Sequence, residues 1–412
     1  MKVPTGKQRL WLAALLCLGI LLFLQYDHRA PKRNFSDFHV TYTTGLRFLK
    51  GEPIYTYEGG LSYFKYPPFY AFFMGPFSML SERNAARLWH VLNLFFLCFL
   101  FVTVTKMLPR LEPSKRPVLY LLAGIASFRI LLENLHEGQA NLFMLALLWC
   151  AIYHIAKGKN VFGGFLFAFS ILTKYLSVLF VPVFLLEKRY RAVAWTLVFL
   201  VLLSFLPAAV VGFSKNAELL RECRNFLFES SLDNNSISTP PNQSLLASLS
   251  RLFYGQSDYG FYLLRLDRKE LFALFFILSS LIYLVCLVSV KGKGRGPFSQ
   301  LAAYGMLCLA MSLFNPNAWR NAFLPICVPY LVLFAYLFKV RWRDRGVLIL
   351  TLLSFCFISL TSEFFVQEKG VKVTDFYSTL TLGAFCLFAA LLKVRFIPRS
   401  DDAGEEVQSR ES

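Results

Sequence analysis

Charged residues are scarce in this sequence. Only 17% of the residues are Asp, Glu, Lys or Arg, whereas a typical soluble domain has about 25%. Hydrophobic residues make up 56% of the chain, which contains 44 phenylalanines among 412 residues. Such a composition is typical of lipid-facing and interfacial surfaces. The scarcity argues against an ordinary water-soluble enzyme and indicates a polytopic membrane protein.

The sequence also lacks the short motifs of several enzyme classes. It contains no DxD pair, HExxH, Walker loop or GxSxG, so nucleotide-sugar, metalloprotease, ATPase and serine-hydrolase interpretations have no support. Eight of the nine cysteines lie in apolar runs, Cys223 alone lies in a polar segment, and no CxxC spacing occurs. Neither a disulfide framework nor a thiolate metal site is therefore predicted.

Long apolar runs are abundant. A helix needs about 20 apolar residues to cross a bilayer, and we predict an all-α integral membrane protein, a bundle of about 10–13 membrane helices with interfacial helices on the outer side. The first span follows three basic residues and has no small-residue cleavage site after it, so we expect it to stay uncleaved. The predicted spans are 9–26, 85–107, 117–135, 139–157, 190–212, 269–290, 297–314, 318–338, 346–363 and 375–393.

Two further apolar stretches are too short or too broken to be simple spans. Residues 67–80 begin with two prolines, and we place them on the outer side as a re-entrant or interfacial segment. Residues 161–186 are interrupted by Lys174 and Pro182 and have basic clusters at both ends. They are predicted to be two short helices that enter the membrane and return.

Basic residues divide unevenly between the two sides of this arrangement. The segments predicted to be cytoplasmic carry 23 basic and 8 acidic residues, and the rest of the chain carries 20 and 17. The positive-inside rule then places both termini in the cytoplasm and loops 27–66 and 213–268 outside. We expect one polytopic domain over 1–394 and a disordered cytoplasmic tail over 395–412. The net charge of +18 is thus a topology signal, and nucleic acid is not an expected partner.

The first outer loop contains a predicted amphipathic helix over residues 37–51. Phe38, Thr41, Tyr42, Leu46 and Leu49 recur at intervals of three and four residues, before a glycine. This spacing predicts a helix lying on the outer leaflet, with Ser36 or Asp37 near its N-cap. From these residues alone, Asp37 is either a helix cap or a functional carboxylate.

Polar residues gather at the predicted outer ends of several spans. Charges at membrane depth are costly and by default mark a functional site, although snorkelling is the simpler explanation for a single Lys or Arg. Three clusters on one face therefore predict an outward-facing polar cavity, roofed by the two long loops. Their members are Glu133, Asn134, His136, Glu137, Gln139 and Asn141, then Lys174, then Asn315, Asn317, Trp319, Arg320 and Asn321.

The order of these and other short motifs over about residues 35–340 resembles glycosyltransferase family 87, a group of GT-C-fold membrane transferases. One position departs from the family, which often has a histidine after the last Trp where this chain has Arg320 and Asn321. The motifs are Asp37-Phe38-x-Val40-x-Tyr42, Gly51-Glu52-Pro53-Ile54-Tyr55, Tyr66-Pro67-Pro68, Gly138-Gln139-x-Asn141, Gly163-Gly164 with Lys174, Asn242-Gln243-Ser244-Leu245 and Asn315-Pro316-x-x-Trp319.

The resemblance implies a mannosyltransferase-like enzyme that transfers a hexose or pentose from a polyprenyl-phosphate donor to a hydroxyl of a lipid or glycan acceptor. Transfer would take place with inversion on the outer side of the plasma membrane, here a bacterial inner membrane, usually without a metal or other cofactor. Asp37 would be the general base, and Lys174 and Arg320 would neutralise the phosphate. The other expected substrate-binding residues are Tyr66, His136, Glu137, Gln139, Asn141, Asn242, Gln243 and Trp319.

Two other functions are compatible with a many-span chain. A transporter or lipid flippase would need ionisable groups near the middle of the bilayer, whereas the charges here gather at one face. A non-catalytic scaffold or lipid-binding subunit is the third interpretation. A bound polyprenyl phosphate near Asp37 would favour the transferase, and a cavity that opens alternately to both sides would favour the transporter.

Overall fold

The computed structural model of the chain describes residues 6–29, 31, 36–55, 64–231, 237, 239–254, 263–291 and 298–396. Residues 397–412 of the predicted tail lie outside the described residues, as do parts of both predicted outer loops.

Helices form almost all of the described structure. The α-helices are α1 Gly6–Arg29, α2 Ser36–Leu49, α3 Pro68–Met74, α4 Glu82–Met107, α5 Arg116–Ala126, α6 Phe128–Glu137, α7 Asn141–Ala156, α8 Asn160–Thr173, α9 Val181–Leu186, α10 Tyr190–Phe205, α11 Ala208–Val211, α12 Phe213–Ser231, α13 Leu245–Phe253, α14 Arg268–Lys291, α15 Ser299–Leu313, α16 Cys327–Lys339, α17 Arg345–Ile358, α18 Glu363–Phe376 and α19 Thr379–Phe396. Short 3₁₀ helices cover Gly75–Met79, Pro113–Lys115, Tyr175–Phe180 and Arg320–Ile326.

Several of these helices are long and apolar enough to cross a membrane. Five qualify among the described residues, or seven if each of two bent pairs is one span. Shorter apolar helices cover Asn141–Ala156, Asn160–Thr173, Tyr175–Leu186 and Ser299–Leu313. The prediction of an all-α polytopic membrane protein is confirmed, and the count of about 10–13 membrane helices stays a prediction.

Two predicted spans are wrong as continuous helices. Span 117–135 is bent by 74° between α5 and α6. There the Ser127 hydroxyl donates to the Ala123 carbonyl at 2.6 Å, a bond to the preceding turn that commonly bends helices. In predicted span 346–363 the helix α17 ends at Ile358, and α18 follows it after a bend of 77°. Hydropathy alone does not detect the first bend, because the residues on both sides of it are mostly apolar, whereas the second bend coincides with the polar segment Ser359–Glu363.

The two stretches that were too broken to be simple spans form short helices. Residues 68–79 make α3 and the 3₁₀ turn that follows it. Residues 160–186 make two short helices that are separated at Lys174, whose backbone is extended (φ −149°, ψ 120°). The break therefore leaves the Lys174 side chain outside regular helix.

The chain packs into two compact units, each assembled from three separate segments of sequence. The first unit is Met1–Thr103, Leu131–Val178 and Arg191–Leu232. The second is Val104–Ile130, Leu179–Tyr190 and Asp233–Ser412. The single domain over 1–394 stays a prediction.

An aromatic-rich core in the first unit holds α2 in place. Phe38, Phe48 and Trp89 are almost completely buried in it. Gly45 lies so close to α3 that an added Cβ would stand 2.9 Å from the Met74 carbonyl carbon. The buried face of α2 thus runs through Phe38, Gly45 and Phe48, whereas Leu49, predicted to share the apolar face, is 43% exposed. A prediction based on hydrophobic side chains misses Gly45. This residue is buried because the absence of a side chain lets the backbones of α2 and α3 come into contact.

In the second unit α15 and α16 are buried along their whole length, and α19 packs against α17. Gly383 permits this contact, because a Cβ there would lie 2.5 Å from Ile358 Cγ1. The same helix end carries the backbone carbonyl of Ile358, which accepts from Arg129 at 3.3 Å. The end of α17 that packs against Gly383 therefore also contacts Arg129.

Candidate active site

Asp37 supplies the carboxylate of the polar site in the first unit. It stands in the first turn of α2, beside the buried Phe38. Its Oδ2 atom accepts a hydrogen bond from Gln139 Nε2. Within the described part of the chain, Asp37 Oδ1 has no hydrogen-bond donor. One oxygen is thus fixed and the other remains available for a substrate proton.

The turn that carries Gln139 is fixed on two sides. Gly138 has φ +63°, and an added Cβ would stand 2.7 Å from Phe38 Cβ. Trp89 Nε1 donates to the Gly138 carbonyl at 2.8 Å. Because only glycine combines this backbone conformation with so close an approach, the Gly138-Gln139 dipeptide is held directly against α2.

Lys174 joins the same network from the break after α8. Its Nζ atom donates to Asn141 Oδ1 at 2.5 Å and to Gln139 Oε1 at 3.4 Å. It also lies 5.8 Å from the centre of the Tyr66 ring, and the Tyr66 hydroxyl stands 3.5 Å from Gln139 Oε1. Asn141 is itself held by Asn134, to whose Oδ1 it donates at 2.8 Å. Five predicted residues, Asp37, Tyr66, Gln139, Asn141 and Lys174, are thus brought together.

The orientation of the Gln139 amide follows from its neighbours. Its oxygen faces the Lys174 ammonium, which only donates, so its NH₂ group must face Asp37. Burial raises the pKa of the Asp37 carboxyl, and Lys174, the Gln139 hydrogen bond and Lys65 oppose that increase. The carboxylate is therefore partly desolvated yet still compensated, which suits a group that accepts a proton.

The two other predicted residues of this segment, His136 and Glu137, are half-buried at the end of α6, directly before Gly138. Their position next to the turn agrees with the predicted cluster. Their role in binding substrate stays a prediction.

The second unit has a polar cluster of its own around Asp375. The two oxygens of this carboxylate form ion pairs with different arginines. Arg129 Nη2 lies 3.4 Å from Oδ1, and Arg320 Nη1 lies 3.2 Å from Oδ2. The side chains of Asp375 and Arg129 are each 3% exposed, whereas that of Arg320 is 29% exposed. Arg320, one of the predicted phosphate ligands, is thus the accessible member of the group.

Asn242 and Gln243 support the segment that carries Arg320. Asn242 forms an isolated antiparallel bridge with Trp319 and donates from Nδ2 to the Pro316 carbonyl at 2.7 Å. Gln243 donates from its backbone to Ala318 at 2.8 Å and from Nε2 to the Asp375 carbonyl at 2.7 Å. Both side chains are fully buried. Their described contacts are to backbone, which indicates that they position the segment, whereas Trp319 is 49% exposed beside it.

Four residues of these clusters were absent from the prediction. Arg129 lies inside predicted span 117–135 and Asp375 opens the last span, so the rule that a charge within a span marks a functional site would have found both. Arg251, whose Nη2 donates to Ser378 at 2.7 Å, and Trp89 carry no comparable local signal. Within the described residues no three His, Cys, Asp or Glu side chains cluster as metal ligands would.

Comparison with known proteins assigns the family. Residues 64–316, more than half of the chain, match glycosyltransferase family 87. A stretch of 137 residues is 28% identical to the dolichyl pyrophosphate Glc1Man9GlcNAc2 alpha-1,3-glucosyltransferase of Arabidopsis thaliana. That match covers 29% of this chain and only 27% of the relative.

The helical fold and the family match together define a multi-pass membrane glycosyltransferase. The chain belongs to glycosyltransferase family 87. Asp37 precedes the matched residues, and Arg320 and Asp375 follow them. The roles of these three residues therefore have to be argued from their own contacts.

Proposed function

We propose that the chain transfers a hexose or pentose from a polyprenyl-phosphate donor to an acceptor hydroxyl on the extracytoplasmic side of the plasma membrane, with inversion. Membership of a glycosyltransferase family supports the reaction class. The name of the Arabidopsis relative, which includes dolichyl pyrophosphate, supports a lipid-linked sugar as a substrate. A lipid-linked donor keeps its reactive bond near the headgroups, where outer loops can reach it.

The observation that carries this proposal is the fixed carboxylate of Asp37. The acceptor oxygen attacks the anomeric carbon, and the bond between that carbon and the phosphate oxygen breaks. The electron pair of that bond leaves with polyprenyl phosphate, and the acceptor proton passes to Asp37. Gln139 fixes the direction of the carboxylate, so that Oδ1 serves as the general base.

The departing phosphate requires positive charge, and Lys174 and Arg320, one in each unit, remain the two phosphate ligands predicted from the sequence. Lys174 lies in the Asp37 network, and Arg320 is the exposed cation of the Asp375 cluster. Lys provides a point charge, while the planar fork of Arg matches two phosphate oxygens. Both roles stabilise negative charge that develops as the glycosidic bond breaks.

The test is Asp37→Asn, which is nearly isosteric and caps a helix about as well as Asp but is a far weaker base. We expect normal insertion and a loss of transfer of about a hundredfold or more. The measurement is the initial rate with radiolabelled polyprenyl-phosphate sugar at matched amounts of protein in membranes. Asp344→Asn is the control, because Asp344 caps α17 through Val347 N and lies outside the proposed site.

Near-wild-type turnover in Asp37→Asn would remove Asp37 as the base and leave it an acidic residue in the first turn of α2. Glu52 and Glu137 would then be the next carboxylates to replace; Glu58 lies outside the described residues.

A further inference from the structure

The ends of five helices meet on one surface of the second unit. The Arg395 guanidinium, in the last turn of α19, donates to the Ser289 carbonyl near the end of α14 and to the Ser299 hydroxyl at the start of α15. Lys393, two residues earlier in α19, pairs with Asp344 at 2.6 Å, and Asp344 ends the short turn that joins α16 to α17. We call this surface, formed by the ends of α14, α16 and α19 and the starts of α15 and α17, the helix-end surface.

The helix-end surface lies where membrane spans end. Three helices long and apolar enough to cross a membrane, Arg268–Lys291, Arg320–Lys339 and Thr379–Phe396, have one end here, and the bent pair that begins with Arg345–Ile358 starts here. Because a membrane helix leaves the hydrocarbon at its polar end, the surface is at the level of the lipid headgroups.

Exposed arginines give the helix-end surface a positive charge. Arg341 lies in the turn between α16 and α17, Arg345 opens α17, and both are exposed. Neither guanidinium has an acidic partner in the part of the chain that the structure describes. Asp344, which lies between them, accepts from Lys393 through Oδ1 and from the Tyr336 hydroxyl through Oδ2 at 3.0 Å. The turn therefore presents positive charge to a ligand.

A second acid near this surface, Glu187, is also engaged by its neighbours. Its Oε1 atom accepts from the Tyr304 hydroxyl at 2.5 Å and from Gln300 Nε2 at 2.9 Å. Gln300 follows Ser299 in the first turn of α15. Both acids thus bond to side chains of their own unit, which leaves the two arginines as the groups that face outward.

Trp342 stands beside the arginines in a fixed position. Its ring lies 5.4 Å from that of Phe338, edge to face, and its backbone N–H donates to the Leu337 carbonyl at 2.8 Å. Arg341 and Trp342 have φ +49° and +62°, a conformation that non-glycine residues keep only where their surroundings impose it. The indole is still 37% exposed. The turn therefore holds an aromatic side chain at a membrane boundary, where Trp is favoured.

We propose that the helix-end surface binds the headgroup of an anionic phospholipid, with Arg341 and Arg345 on the phosphate and Trp342 beside the acyl chains. The inference does not depend on the proposed reaction. A guanidinium group matches two phosphate oxygens, and basic clusters at a membrane surface bind anionic lipids. The charge distribution also predicts that this end faces the cytoplasm, whose leaflet carries anionic lipids. The exposed indole favours a lipid over a soluble phosphate.

The experiment is a lipid titration of the full-length protein, purified in a neutral detergent. The rise in the midpoint of thermal unfolding gives the apparent affinity. Phosphatidylglycerol should stabilise the wild type at lower concentrations than zwitterionic phosphatidylcholine does. The double variant Arg341→Gln with Arg345→Gln should bind phosphatidylglycerol about tenfold more weakly or worse, because each basic residue near an anionic surface contributes about a factor of five.

Arg265→Gln with Lys269→Gln is the matched control. It removes two exposed positive charges of the same unit at the opposite end of α14, and it should bind phosphatidylglycerol like the wild type. A second arm needs no variant. The affinity of the wild type for phosphatidylglycerol should fall as sodium chloride is added, because salt screens exposed charges.

Wild-type affinity for phosphatidylglycerol in the folded Arg341→Gln, Arg345→Gln variant would overturn the inference, as would an affinity of the wild type that salt does not change. An equal loss in the control variant would assign the effect to net charge and would also overturn it. Equal stabilisation by phosphatidylcholine would exclude an anionic headgroup as the ligand. Equal stabilisation by inorganic phosphate at the same concentration would exclude a lipid.

Discussion

The charge state of Asp37 determines when the proposed base can work. Burial raises the pKa of its carboxyl above the ordinary value of 3.8. A base must be deprotonated, so kcat/KM should fall as pH drops through this raised pKa. In Lys174→Gln a cation that lowers the pKa is lost, and the acid limb should move to higher pH. The measurement is the pH profile of kcat/KM.

Lys215→Gln is the control for that profile, because Lys215 belongs to the same unit but pairs with Glu218 on the surface at 3.0 Å. Its acid limb should coincide with that of the wild type. An acid limb that stays in place in Lys174→Gln would show that Asp37 does not control the rate.

Substitutions of Arg320 test whether binding of the donor phosphate needs the planar guanidinium group. Arg320→Lys keeps the charge but loses bidentate geometry, so donor KM should rise by about tenfold. Arg343→Lys, at an exposed arginine, should leave donor KM unchanged. The measurement is donor saturation at fixed acceptor concentration. Wild-type donor affinity in both Arg320→Ala and Lys174→Ala would remove the two residues from the site.

The turn between α6 and α7 is the element that aligns the first site. Gly138 and Gly158 both have positive φ, but a Cβ at Gly138 would meet Phe38 at 2.7 Å, whereas Gly158 has nothing within 4 Å. Gly158→Ala should therefore lower the free energy of unfolding by only about 1 kcal/mol, which is the cost of placing a non-glycine residue at positive φ. Gly138→Ala should cost more and also lose transfer activity, because Gln139 would be displaced from Asp37.

Thermal unfolding in detergent and transfer rates of these two variants provide the comparison. Equal stability and equal activity in both would mean that the close approach to Phe38 does not align the site.

Sequence patterns predicted the residues of the Asp37 cluster better than they predicted the shapes of the helices. Asp37, Gln139, Asn141 and Lys174 were recognised as polar residues at apolar boundaries, and they come together in the structure. The bend at Ser127 escaped detection because it depends on one side-chain bond inside an apolar run. The tertiary pairing of Arg129 with a residue 246 positions away has no local sequence signature either.

The placement of charge along the whole chain predicts its orientation in the membrane. Both termini should be cytoplasmic, with loops 27–66 and 213–268 outside. Single cysteines introduced at the exposed positions Glu52, Leu263 and Arg343 in a cysteine-free background give the test. A membrane-impermeant reagent should label the first two from outside and the third only after permeabilisation. Labelling of Glu52 and Leu263 only from the cytoplasmic side would overturn the orientation.

The fixed amide of Gln139 also limits how the enzyme returns to its starting state between turnovers. In the proposed mechanism Asp37 carries a proton after transfer, and the N–H of Gln139 that faces Oδ2 cannot accept it. The protonated oxygen is then Oδ1, on the side from which the acceptor came. Deprotonation must therefore wait for the glycosylated product to depart and for water to enter. In the proposed mechanism, release of the glycosylated product and reactivation of the base are therefore one ordered sequence.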